Sequence, residues 1–331
     1  MTTRGDLTPL KLIVQLVEED LLAVEKLVAE QISSDVRLVN EVGRYVQQGG
    51  GKRVRPALLL LASRLCGYRG ERAVTLASTV EFIHTASLLH DDIIDEATTR
   101  RGRQSVNSRW GNDITVLFGD FLYTKSMAMA LSQDNLRIMR LLSDVTLRLI
   151  EGEILEIERN GNLRVTAEDH LDTIRRKTAD LFAACTRIGA ILGEVGEEPE
   201  RALASYGLNL GLCFQMVDDL LDFTAEEETL GKPVAHDLRE GKVTLPMIFL
   251  LRRAGKAAAE KVKAVLDDRD FSRVTRDELV RMARECGALD EALEMAERYA
   301  GLARRELVAF EPSPYRDALE ALPGFILSRD H

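Results

Sequence analysis

Two short acidic sequences are equipped to do chemistry: Asp91-Asp92-Ile93-Ile94-Asp95 and, far downstream, Asp218-Asp219-Leu220-Leu221-Asp222, both with the spacing DDxxD. Residues four apart share a helix face, so Asp91 aligns with Asp95 and Asp218 aligns with Asp222. Like charges at that spacing repel. Carboxylates set among Leu88, Leu89, Ile93 and Ile94, or among Phe214, Met216, Val217, Leu220 and Leu221, are costly unless paired or bound to a cation. A solvated acidic helix face explains one such motif, but two copies in apolar surroundings point to a bound cation. All-oxygen sites suit hard ions, and magnesium in particular is held by one or two carboxylates together with the phosphates of a substrate.

Phosphate also has partners. Basic residues gather at Lys52, Arg53 and Arg55, at Arg100, Arg101 and Arg103, and at Arg175, Arg176 and Lys177, each group beside a loop or a helix end. The run Gly49-Gly50-Gly51 before Lys52 lacks the Walker spacing and a preceding strand, yet a loop that feeds a helix N-terminus still offers N–H groups to an anion. No GxSxG and no Cys–His pairing suggests a covalent nucleophile. The combination describes a cavity that holds magnesium and phosphorylated substrates, with diphosphate as the leaving group.

The elements that must position these groups read as helices. Apolar residues recur at three- and four-residue spacing, as in Leu10, Ile13, Val14, Val17 and Leu21 and in Leu136, Met139, Leu142, Val145 and Leu149, and no strand series stands out. Breaks at Gly49–Gly51, Gly67–Gly70, Gly102–Asn112, Gly161, Gly193–Pro199, Gly231–Pro233 and Pro312–Pro314 divide the chain into about ten helices. The 331 residues are 45% hydrophobic, 30% charged and 5% aromatic, a composition typical of a helical globular protein, and no linker separates two bodies. The net charge of -10 argues against a nucleic-acid partner. No apolar run reads as a transmembrane segment and residues 1–9 lack a signal-peptide core, so the expected address is cytoplasmic. The scattered Cys66, Cys185, Cys213 and Cys286 suggest neither disulfides nor zinc and read as small core residues.

The chain resembles the trans-isoprenyl diphosphate synthases, the polyprenyl synthetase family, over nearly its whole length. The matching motifs are Gly49 to Pro56 (GGGKRVRP), Leu88 to Asp95 (LLHDDIID), Arg100-Arg101-Gly102, Gly119-Asp120, Lys177-Thr178, Phe214 to Asp222 (FQMVDDLLD) and Gly231-Lys232. The resemblance implies an all-α, single-domain helical bundle of the isoprenoid synthase type around a deep central cavity, one domain over residues 1–331, and a homodimer. It implies head-to-tail condensation: an allylic diphosphate, farnesyl or geranylgeranyl, ionises with the help of magnesium, three ions with substrate bound, and isopentenyl diphosphate attacks the cation. By the same resemblance Asp91, Asp95 and Asp218 ligate magnesium, with Asp92, Asp219, Asp222 and Asp237 in direct or water-mediated support. Arg100, Lys177 and Lys232 would hold the allylic diphosphate, with Lys242 a further candidate. Lys52, Arg55, His84 and Arg101 would hold isopentenyl diphosphate, while Thr178 and Gln215 line the reacting region.

Product length in this family is set by a tunnel that a bulky residue just before the first acidic motif can block. Ala86 and Ser87 stand there and are small, which implies a long product, such as a quinone side chain requires. Met127, Met129 and Leu131 are candidates for the tunnel floor. The alternatives are a geranylgeranyl or farnesyl diphosphate synthase, a subunit of a heteromeric synthase, a class I terpene cyclase, which normally pairs DDxxD with a mixed Asn/Ser/Thr/Glu motif, and a metal-binding helical scaffold.

Overall fold

The computed structural model describes residues 15–224 and 235–328. The sequence reading that begins at Leu10 falls partly outside them, and Gly231-Lys232 falls wholly outside. The described chain is helical: α1 Glu18–Ile32, α2 Arg37–Gln48, α3 Val54–Leu65, α4 Arg72–Ile94, α5 Val106–Trp110, α6 Asn112–Leu131, α7 Leu136–Arg159, α8 Ala167–Ile174, α9 Asp180–Leu192, α10 Glu197–Thr224, α11 His236–Glu240, α12 Leu245–Asp268, α13 Arg276–Glu285, α14 Ala288–Glu306 and α15 Pro314–Leu327. A π-helical turn, Arg175–Ala179, joins α8 to α9. Sequence breaks undercount these helices because short ones such as α5 and α11 are only five residues long, and α5 sits inside the stretch Gly102–Asn112 that reads as a loop.

Among the described residues the only sheet is a two-stranded hairpin, Thr99–Arg100 against Arg103–Gln104, missed by a search for alternating apolar runs because each strand is two residues long. Its turn is Arg101-Gly102, with φ of 52° and 72°. Two successive left-handed residues make the turn whose twist matches a hairpin, and glycine at the second position removes the steric cost.

Contacts divide the described chain into two compact units, residues 15–146, 182–204 and 307–322 in one and 147–181, 205–224, 235–306 and 323–328 in the other. In the first unit α4 packs along α6 and against α3 and α1. The run Leu58 to Leu61 in α3 is wholly buried, as are Leu76, Val80, Ile83 and Ala86 in α4. Burial of the leucine, valine and isoleucine side chains among these contributes about 1.5–3 kcal/mol each before conformational entropy is counted. Among the described residues helix α6 is long and apolar enough to cross a membrane by length and composition alone. Its buried face, including Phe118, Leu122, Met129 and Ala130, is core in this chain. In the second unit α12 packs on α13 and α14, which presents a stripe of buried alanines, Ala292, Ala296, Ala300 and Ala303. Cys185 and Cys213 are buried, and burial pushes both thiols up to about 12. Cys66 and Cys286 are only partly covered, so two of the four cysteines are not the core residues they resemble in sequence.

Candidate active site

In the first unit, α4 carries His84, Ala86, Ser87 and the first DDxxD motif. The helix ends at Ile94, and Asp95 is its C-cap, with its N–H donating to the Asp91 carbonyl at 2.8 Å. A helix C-terminus already bears partial negative charge, so three aspartates in the last turn are an electrostatic load that favours a cation there. Asp91 and Asp95 are partly exposed, whereas Asp92 points elsewhere and is 1% exposed. Arg100 Nε donates to Asp92 Oδ1 at 2.6 Å, and Asn107 Nδ2 donates to the Asp92 carbonyl at 3.0 Å. Burial raises the Asp92 carboxyl above its ordinary range, with Arg100 opposing and Asp95 reinforcing. Asp92 thus ties the end of α4 to the hairpin.

The hairpin in turn meets the glycine loop. Arg101 Nη1 donates to the Gly50 carbonyl, and Arg53, itself left-handed at φ 46°, pairs with Glu25 and Glu81. Arg55 Nη1 lies 3.0 Å from His84 Nε2 and its guanidinium stacks over the Phe182 ring. An arginine can only donate, so His84 Nε2 accepts and the imidazole proton sits on Nδ1. Burial, with Arg55, Arg101, Arg100 and Arg53 adding to it, holds His84 well below the usual histidine range, so it is neutral. Lys52 is exposed in the loop. A cleft of about 820 Å³ in this unit is lined by Gly50, Arg53, Phe82, Leu89 and Arg101 among others. Ala86 is fully buried and Ser87 nearly so. Met129 is buried, whereas Leu131 is 59% exposed on the opposite side of α6 and Met127, on the same side as Leu131, is partly exposed.

In the second unit the π-helical turn carries Lys177 and Thr178. Such insertions re-aim side chains and are frequent at functional sites. A relay of side chains follows. Thr178 Oγ1 donates to Gln215 Oε1 at 2.9 Å, Gln215 Nε2 donates to Asp219 Oδ1 at 3.0 Å, and Asp219 Oδ2 lies 2.8 Å from His170 Nε2. Asp219 is therefore held on both oxygens and is 3% exposed, while Asp218 is partly exposed. Asp222 Oδ2 accepts from the Asp237 N–H at 3.1 Å, so the second motif organises the segment that follows it. Lys177 meets Glu153 and Glu156, both at 2.7 Å, and Lys242 meets Glu240 at 2.8 Å and Glu156 at 3.3 Å. A cleft of about 670 Å³ is lined by Glu156, Lys177, Thr178, Gln215, Asp219 and Lys242. Lys232 lies outside the described residues.

Sequence reasoning brought together Lys177 with Thr178 and Gln215 with Asp219, but it missed Glu153, Glu156 and His170. The glutamates look like solvated acids of an amphipathic helix, and only Gly152 beside them signals close packing. Among the described residues no three His, Cys, Asp or Glu side chains are already gathered around one point. The partly exposed Asp91, Asp95 and Asp218 nevertheless offer hard oxygen donors of the kind that suits magnesium, which keeps few protein ligands and completes its shell with water and phosphate, whereas Asp222, 3% exposed, is turned inward like Asp219.

The Polyprenyl synthetase family model matches residues 36–282. The chain is 38% identical over 316 residues to octaprenyl diphosphate synthase of Escherichia coli, covering 96% of this chain and 98% of that protein. Its fold superimposes with a TM-score of 0.92 on a polyprenyl synthase from Caulobacter crescentus crystallised with calcium and isoprenyl diphosphate, at 35% identity and 99% coverage of both chains. A decaprenyl diphosphate synthase from Rhodobacter capsulatus gives 0.91 at 38% identity, covering 96% of this chain and 98% of that one. With helices of this kind throughout and both acidic motifs intact, the chain belongs to the polyprenyl synthetase family.

Proposed function

We propose that this protein is a trans-prenyltransferase that joins isopentenyl diphosphate head-to-tail to an allylic diphosphate, farnesyl or geranylgeranyl, and makes a long-chain all-trans polyprenyl diphosphate for a quinone side chain. The observation that carries the reading is the construction of the two acidic motifs. Each presents an outward Asp beside an inward one that is already hydrogen-bonded, Asp92 to Arg100 and Asp219 to Gln215 and His170.

Asp91, Asp95 and Asp218 are the ligands assigned to magnesium, with Asp92, Asp219, Asp222 and Asp237 orienting them. Three ions with substrate bound belong to the proposal. When bound, magnesium supplies positive charge that stabilises a departing diphosphate. Arg100, Lys177, Lys232 and Lys242 hold the allylic diphosphate. Lys52, Arg55, neutral His84 and Arg101 hold isopentenyl diphosphate. The C1–O bond of the allylic substrate breaks, the double-bond electrons of isopentenyl diphosphate form a new bond to that C1, and a proton leaves C2 of the added unit. Cationic side chains fixed before the reaction stabilise the developing charge without reorganising. Apolar walls keep water from the carbocation. Ala86 and Ser87 leave room for a growing chain, with Met127 and Met129 as its floor. The reading includes a single functional domain over residues 1–331, a cytoplasmic address and a homodimer. An exposed apolar row along α7, Leu147, Ile150, Ile154 and Ile157, supports the dimer.

Purified protein given magnesium, labelled isopentenyl diphosphate and farnesyl diphosphate, followed by dephosphorylation and sizing of the alcohols, tests the reading. Products of thirty carbons or more support it. A stop at fifteen or twenty carbons makes the chain a short-chain synthase, and no incorporation with any allylic primer overturns the activity.

A further inference from the structure

Two glutamates of α7 meet the lysines of the second unit in a way that a solvated helix face does not explain. Gly152 is the reason they can. A Cβ on Gly152 would lie 2.7 Å from the Lys177 backbone nitrogen and 2.9 Å from Arg176 Cβ, so α7 touches the π-helical turn backbone to backbone. That approach brings Glu153 and Glu156, one and four residues on, within 2.7 Å of Lys177 Nζ. Glu156 also lies 3.3 Å from Lys242 Nζ, which reaches it from a different segment of the chain. One carboxylate is thus shared by two ammonium groups.

Stability does not account for this arrangement. Glu153 is 7% exposed, and charges taken out of water contribute little or nothing net, since apolar side chains of the same volume hold a fold as well. Burial pushes the Glu156 carboxyl up, but Lys177 and Lys242 outweigh it and hold the group below its ordinary range, so it stays ionised. The same residues wall the cleft that contains Thr178 and Gln215. An ammonium on a four-carbon stem carries large rotamer entropy, and two carboxylates meeting one ammonium fix where it stands before any ligand arrives.

We propose that Glu156, assisted by Glu153, is a positioning residue that presets Lys177 and Lys242 for the allylic diphosphate. The inference rests on the reading that these lysines hold that substrate. Glu156 does not touch substrate itself; it acts through the two ammonium groups. The groups assigned to isopentenyl diphosphate, Lys52, Arg55, His84 and Arg101, belong to the other unit and are the internal control.

The test is steady-state kinetics on Glu156→Gln, Glu156→Asp and Lys177→Ala, varying each substrate separately, with a thermal melt of each variant. Glu156→Gln is expected to raise KM for the allylic diphosphate about tenfold, the scale of one charge-assisted contact, and to leave KM for isopentenyl diphosphate within about twofold. Its melting temperature is expected to stay within about 3 °C of the parent. Glu156→Asp, which keeps the charge, is expected to recover most of the loss. If Lys177→Ala raises the allylic KM while Glu156→Gln leaves it unchanged, the positioning role is wrong and the lysine's role stands. Equal increases in both KM values, or loss only in step with a large drop in melting temperature, likewise overturn it in favour of a structural role. If Lys177→Ala leaves the allylic KM unmoved, the reading of the lysine fails and the inference fails with it.

Discussion

Two glycines inside helices should respond to the same substitution with opposite sign. An added methyl at Gly301, in α14, meets nothing within 4 Å, whereas at Gly152, in α7, it meets Lys177 N at 2.7 Å, Arg176 Cβ at 2.9 Å and the Arg176 carbonyl carbon at 3.2 Å. Alanine is favoured over glycine in a helix interior by about 1 kcal/mol, so Gly301→Ala should stabilise by up to that amount and leave turnover unchanged. At Gly152 the same gain opposes an overpacking cost of about 1–3 kcal/mol, for a net loss of about 0–2 kcal/mol. Carbon and nitrogen normally sit about 3.5–4.0 Å apart, so the π-helical turn must move away by about 1 Å. That displacement carries Lys177 from Glu153 and Glu156, and if Lys177 holds the allylic diphosphate as proposed, its misplacement by about 1 Å costs on the order of 10²-fold in turnover. Thermal melts and kcat/KM on the two variants decide it. Activity of Gly152→Ala within a few-fold of the parent, or destabilisation of Gly301→Ala as large as that of Gly152→Ala, would refute the argument that close backbone approach is what aims Lys177.

Other consequences follow from the same geometry. His84 is buried and held neutral, whereas in the unfolded chain it protonates below about pH 6.5. Its contribution is therefore fully present above that pH and is lost as pH falls, by up to about 1.4 kcal/mol per unit, and urea midpoints between pH 7.5 and 5.5 should slope less steeply in His84→Gln than in the parent. Unchanged slope would show that His84 titrates normally. Ala86→Phe adds a ring where α4 is fully buried and should shorten the prenyl product, read by chromatography of the alcohols; an unshortened product in a variant that still folds removes Ala86 from the tunnel wall. Asp91→Asn and Asp218→Asn should each lower kcat by about 10²–10³-fold and raise the magnesium concentration needed for half-maximal rate, and a loss of rate with no change in magnesium dependence would count against their role as ligands.

The parts of this protein that were legible in sequence are those whose signal is local. Helical period, breaks at glycine and the four-residue spacing of the aspartates all act within one or two turns, and α4 carries Asp91 with Asp95 as its C-cap while α10 carries Asp218 and Asp222. What escaped depends on groups far apart in the chain. The DDxxD pattern cannot say that its second aspartate turns inward, because that follows from Arg100 reaching Asp92 across a hairpin too short to produce an alternating pattern. Nor can it supply His170, an isolated histidine until Asp219 meets it at 2.8 Å.

If the outward aspartates are the proposed ligands, the inward ones explain why the motif carries two adjacent acids when aligned ligands need only one per turn. Neighbouring residues on a helix are about 100° apart, so one of the pair can face outward while the other is spent on anchorage. In α4 the anchor is Arg100, which sets the hairpin and, through Arg101 and Gly50, the glycine loop before α3. In α10 the anchor is Gln215 and His170, which sets Thr178 on the π-helical turn. A carboxylate anchored in this way stiffens the helix end beside the outward acids, where like charge would otherwise spread the chain. On the proposed reading each motif couples a cation site to the cationic segment of its own unit, and replacing an inward aspartate by asparagine should disturb diphosphate binding before it disturbs metal affinity.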